Sequence, residues 1–127
     1  SSAYHGEGDL AIRELHMALR LMPFEPVHHL ALIGIGFAHF TAERYAEAAR
    51  WVRSGVDASP ESYWAERIVA AAAIRCGAGA EARRVVRRLL RKDPALTVEI
   101  AERAWPFPLH VRDRLADGLI AAGLPRS

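Results

Sequence analysis

A chain of 127 residues and 14.0 kDa is long enough for one compact domain and too short for two. Its 17 basic residues stand against 15 acidic ones, and a formal net charge of +2 sets up no overall field that would draw in nucleic acid indiscriminately. Hydrophobic residues at 51%, abundant Ala and few clustered β-branched residues argue against disorder and against an all-β domain, which leaves a helical array better suited to binding than to catalysis.

The single cysteine, Cys76, excludes a disulfide framework and a Cys-based zinc site, and points to a reducing, cytoplasmic compartment. Ser1–Gly8 lacks the charged start and apolar run of a signal peptide. The longest apolar stretch, Leu30–Phe40, falls short of the roughly 20 residues that a membrane span needs.

In chain order, the first predicted element is a helix over Ala11–Pro23, the core of a half repeat spanning 9–23. It has the form of the second helix of a hairpin whose first helix would precede Ser1, so the chain reads as a piece of a longer protein. Pro26, Pro60 and Pro94 then follow at a fixed interval of 34 residues, and Tyr45-Ala46-Glu47-Ala48 realigns at the same offset with Gly79-Ala80-Glu81-Ala82. A period near 34 signals stacked helical hairpins, because one hairpin cannot bury both of its faces alone. The repeat at 27–60 is predicted as helices His28–Phe40 and Tyr45–Asp57 around a turn at Thr41–Arg44. That at 61–94 is predicted as helices Glu61–Cys76 and Ala80–Lys92 around Gly77-Ala78-Gly79. Capping helices follow over 95–127: Leu96–Ala104, a Trp105-Pro106-Phe107-Pro108 break, then Leu109–Ala122 with Gly123 and Pro125 as stop signals.

These residues resemble the tetratricopeptide repeat (TPR). The first block supplies Leu32, Ile35-Gly36, Phe40, Tyr45, Ala48 and Pro60. The second supplies Val69-Ala70, Gly77, Ala82 and Pro94, and the half repeat supplies Ala11, Ala18 and Pro23. Gly55 and Glu66 depart from the motif, standing where Ala and a large apolar residue are usual. The resemblance implies an all-α domain of antiparallel hairpins stacked as a short superhelix, with protein–protein interaction as its role. Phe37-Ala38-His39-Phe40, Arg44 to Trp51, Glu81 to Arg84 and the terminal Gly118 to Pro125 also look like the C-terminal tail of bacterial class III adenylate/guanylate cyclase-like proteins. That likeness implies a regulatory or scaffolding tail, with catalytic machinery upstream.

Candidate chemistry within the chain is sparse. His28 and His29 diverge by about 100° around the helix and His39 is ten residues further on, so they are read as helix-start and packing residues rather than metal ligands. Gly34-Ile35-Gly36 imitates the start of a dinucleotide fingerprint, but position 39 is His39 and no strand precedes it. These glycines are read as sites of close helix approach. No catalytic residue, metal site or cofactor is assigned.

Two surfaces remain as candidates for binding. Leu30, Ile33, Phe37 and Phe40 form one face of the first inner helix, and the 34-residue shift turns them into Trp64, Arg67, Ala71 and Ile74. This predicts an apolar groove with Arg67 and Arg75 at its edge. Its cover is either the chain's own Trp105–Phe107 segment and last helix, with Leu115, Leu119 and Ile120, or a partner helix or second copy of the chain. A carboxylate clamp of Lys, Asn and Arg is disfavoured, because the chain lacks Asn and its one Lys is on an outer helix. The second surface is the basic face Arg83, Arg84, Arg87, Arg88, Arg91 and Lys92, opposite Val85, Val86, Leu89 and Leu90. It is read first as a solvated face, then as a contact for an acidic protein surface; the alternative for the chain is a phosphate- or nucleic-acid-binding helical module using Arg83–Lys92, or the tail of a transcriptional regulator. Sequence-specific DNA reading is disfavoured, since no helix-turn-helix accompanies it.

Overall fold

The computed structural model describes residues 2–21, 27–104 and 108–127. Pro23 and Pro26, which were to bound the half repeat and the first full repeat, lie outside the described residues, as do Trp105 to Phe107 of the expected break and cover. Among the described residues the chain is all-helical: α1 (Ser2–Leu21), α2 (Val27–Thr41), α3 (Tyr45–Ala58), a 3-10 segment (Pro60–Ala65), α4 (Glu66–Arg75), α5 (Gly79–Lys92), α6 (Val98–Arg103) and α7 (Leu109–Ala121). No helix among them is long and apolar enough to cross a membrane.

The sequence period reappears as geometry. α3 and α5 are both 14 residues long and start at Tyr45 and Gly79, one period apart. The turns that precede them are the same Schellman closure. Arg44 donates its N–H to the His39 carbonyl at 2.8 Å, and Ala78 does the same to Ala73 at 2.8 Å. This closure needs a left-handed residue, and it falls on Glu43 (φ 65°) in one turn and on Gly77 (φ 76°) in the other. Gly77 adopts it without steric cost, whereas the Cβ of Glu43 is crowded there.

Three predicted boundaries need correction. α1 begins at Ser2 rather than near Ala11, and runs unbroken through Gly8. Gly8 faces the Ala38 carbonyl of α2, so packing along α2 outweighs the poor helix propensity of glycine. The helix expected from Glu61 opens instead as the 3-10 segment, with Ser62 at φ −85° and ψ 23° and its N–H bonded to the Ser59 carbonyl. α6 starts at Val98, not Leu96, because the Thr97 hydroxyl accepts from the Ile100 N–H and caps the helix there.

Close crossings hold the helices together. A Cβ on Gly36 would lie 2.5 Å from Val52 Cγ2, and one on Gly55 would lie 2.6 Å from Ile33 Cγ1, so α2 and α3 meet through opposed notches. Gly55, the departure from the repeat motif, is thus a requirement of this crossing. α7 packs on α4, where a Cβ on Gly118 would lie 2.8 Å from the Ala71 Cα. The core between these crossings gathers Val52, Ile68, Val69, Val85, Val86 and Leu89 with the Ala70–Ala73 run, and Leu115 and Leu119 close it from α7. Beyond α7 the chain returns to α6, whose Val98 N–H donates to the Pro125 carbonyl at 2.8 Å and whose Glu99 N–H donates to Arg126 at 3.2 Å. Two donors at the start of α6 are satisfied in this way.

Replacing Gly118 by Val should lower stability by about 1–3 kcal/mol, because the added methyl groups meet the α4 backbone rather than a movable side chain. Glu43→Gly should raise it by about 1 kcal/mol by removing the left-handed penalty. Urea denaturation followed by circular dichroism reads both, and an unchanged midpoint in either variant contradicts the packing described.

Candidate functional site

The predicted groove residues separate into an open end and a closed end. At the open end, near the starts of α2 and α4, Leu30 is 53% exposed and Trp64, one period later, is 38% exposed. Phe37 meets Trp64 edge to face, with centroids 6.3 Å apart, which brings the two inner elements together. Arg67, one helical turn on from Trp64, is half-buried, and its buried Nε has no hydrogen-bond acceptor among the described residues. Burial lowers its pKa, while Asp93 and Tyr63 act in the opposite direction.

Ile33 and Phe40 do not line an open groove. Ile33 is 2% exposed because the Gly55 notch takes its side chain into the α2–α3 crossing. Phe40 is fully buried against Tyr45, at 5.4 Å between centroids. Ala71 lies beneath Gly118 of α7, so the last helix covers this part of the floor, and Ile74 is half-buried. Arg75 stands 6.0 Å over the Tyr45 ring, on the opposite side of α4's length from Arg67.

The closed end is fixed by Arg114, a residue the repeat pattern did not single out. Its Nη1 donates to the Phe40 carbonyl at 3.1 Å and to the Tyr45 hydroxyl at 2.8 Å. Its Nη2 donates to the Thr41 carbonyl at 3.0 Å, and the guanidinium stands 5.5 Å over the Phe40 ring. The last carbonyls of a helix have no partners within it and carry the negative end of its dipole, so a cation is well placed there. On the other side of the turn, Arg44 Nε donates to His39 Nδ1 at 2.8 Å and its Nη2 pairs with Asp9 of α1 at 2.7 Å. His39 Nε2 is 3.4 Å from Glu47. His39 is therefore a packing residue, as read from its spacing, and it ties α1, α2 and α3 together. Among the described residues no group of three His, Cys, Asp or Glu side chains is placed to hold a metal.

All six residues of the basic face are exposed on α5. Arg88 bonds Glu66 of α4 through Nε at 3.2 Å and Nη2 at 3.1 Å, and Lys92 stands 4.6 Å over the Tyr63 ring. The other four, Arg83, Arg84, Arg87 and Arg91, form no ion pair among the described residues. A feature not anticipated is a groove of about 510 Å³ between α6 and α7, with Val98, Ala116 and Ile120 among its lining. Glu99, Glu102, Asp113 and Asp117 also line it. The i,i+3 and i,i+4 spacings of these acids are visible in the sequence, but their convergence depends on how α7 folds back.

No protein-family model, curated protein or solved structure matches this chain.

Removing the Arg114 guanidinium with Arg114→Met should cost about 1.5–3 kcal/mol, because the carbonyls at the end of α2 lose a charged donor. Arg114→Lys should recover only part of this, as one ammonium cannot span both carbonyls and the Tyr45 hydroxyl. Burial is the main cause holding the His39 pKa below its ordinary 6.5; Arg44 and His16 act with it, and Glu47 and Asp9 against it. The folded state favours the neutral ring, so stability present above pH 6.5 should decline as the pH falls from 6.5 toward the folded value. His39→Phe should remove that part of the decline in a pH series of unfolding midpoints.

Proposed function

We propose that this chain is a non-catalytic protein-interaction domain of the tetratricopeptide kind, docking an apolar helical segment that carries an acidic side chain. The fold class and the recurrence of hairpin geometry at the 34-residue period support this. The observation that carries it is the open end of the groove: equivalent positions of successive repeats, Leu30 and Trp64, both expose large apolar side chains, and half-buried Arg67 follows one helical turn on from Trp64. Exposed apolar area of this kind suits a helix laid into a groove, and a guanidinium at its edge supplies orientation by pairing with a carboxylate.

The resemblance of the Gly118–Pro125 run to cyclase-like tails extends the proposal to a regulatory or scaffolding part of a cytoplasmic parent protein. In that role the purified chain has no nucleotide cyclase turnover, and measurable turnover would refute it.

Docking is tested with fluorescently labelled amphipathic helical peptides that share one apolar face and either carry or lack a Glu beside it. The Leu30→Ser/Trp64→Ala variant should weaken binding at least about tenfold, the loss expected of a buried anchor. Arg67→Met should abolish the preference for the Glu-bearing peptide while leaving helicity intact. Equal affinities for wild type and the double variant would sink the proposal.

A further inference from the structure

We infer that the arginine stripe on α5 docks into the acidic α6–α7 groove of a second copy of this chain, joining copies head to tail. The inference is separate from the Leu30–Trp64 surface and goes beyond the reading built on it. Arg83, Arg87 and Arg91 recur every four residues, one row along the exposed side of α5, with about 6 Å of rise between successive members. Arg84 lies beside that row. All four guanidinium groups lack an ion-pair partner among the described residues, although α5 belongs to the same chain as the acids of the groove.

The groove offers the complementary pattern. Asp113 and Asp117 stand four residues apart on α7, the same rise as the arginine row, and Glu99 and Glu102 line the facing side from α6. None of the four carboxylates forms an ion pair among the described residues either. Arg126 is the single cation in the lining, so acids outnumber bases there. The apolar lining of Val98, Ala116 and Ile120 receives the aliphatic stems of arginines while their heads reach the walls. Arginine forms paired hydrogen bonds with carboxylates, which a lysine stripe would not match. The two surfaces differ, so the contact is heterologous and successive copies add in one direction.

Sedimentation velocity over a concentration series at low salt, with the full chain, tests this. Wild type should show a weight-average mass that rises with concentration and falls back to 14.0 kDa in high salt. Arg87→Gln/Arg91→Gln removes the stripe and Asp113→Asn/Asp117→Asn removes the groove, and each variant alone should stay monomeric with unchanged helicity. An equimolar mixture of the two should form a complex of two chains and no larger species, because only one intact stripe meets one intact groove. A wild type that remains monomeric, a stripe variant that still assembles, or a mixture that fails to pair would each overturn the inference. Salt-sensitive binding of duplex DNA by a monomeric wild type, lost in the stripe variant, would also overturn it and assign the stripe to a polyanion.

Discussion

The notched crossing of α2 and α3 is the constraint from which most of the remaining geometry follows. Two helices with ordinary side chains stand apart by the thickness of those side chains. Here Gly36 admits Val52 from α3 and Gly55 admits Ile33 from α2, so each helix enters the other's surface at a separate level. The close approach takes Ile33 out of the groove floor and leaves Leu30 outside it. The composition of the exposed surface is therefore a product of interhelix distance as much as of helical periodicity.

Electrostatics completes what packing begins. The end of α2 is the meeting point of four helices, because Arg114 arrives from α7, Arg44 opens α3 and Asp9 reaches in from α1. Each arginine serves a different unsatisfied group: Arg114 the terminal carbonyls, Arg44 the ring nitrogen of a buried neutral histidine. The near neutrality of the whole chain conceals this division of labour. Some arginines are spent inside the fold, and four of the five on α5 are left without an ion pair among the described residues at its surface.

Much of the array was legible from residues alone, for physical reasons that can be named. Proline and the Tyr/Gly-Ala-Glu-Ala register fix where hairpins begin, and small residues at Gly36 and Ala70 mark where helices touch. The division of the groove was not legible. Ile33 lies on the same helical stripe as Leu30, and only the position of Gly55 on a different helix decides that one is buried and the other exposed. Arg114 escaped because it falls after the last full repeat, in a helix whose placement no period dictates. The helical start of α1 escaped because glycines at positions 6 and 8 lower its local propensity, which contact with α2 overrides.

The Arg114 contacts also bear on the order in which the molecule assembles. Each hairpin turn closes over a handful of residues, whereas Arg114 binds carbonyls 73 and 74 positions earlier in the chain. Closing a loop of that length costs more entropy than closing a turn, so the hairpins form first and α7 latches onto them afterwards. The latch is correspondingly the first part to release under native conditions, leaving the hairpins protected. Amide exchange should then trace a gradient that rises from α7 toward the α2–α3 crossing, with Arg114 marking the boundary between two cooperative units of one small domain.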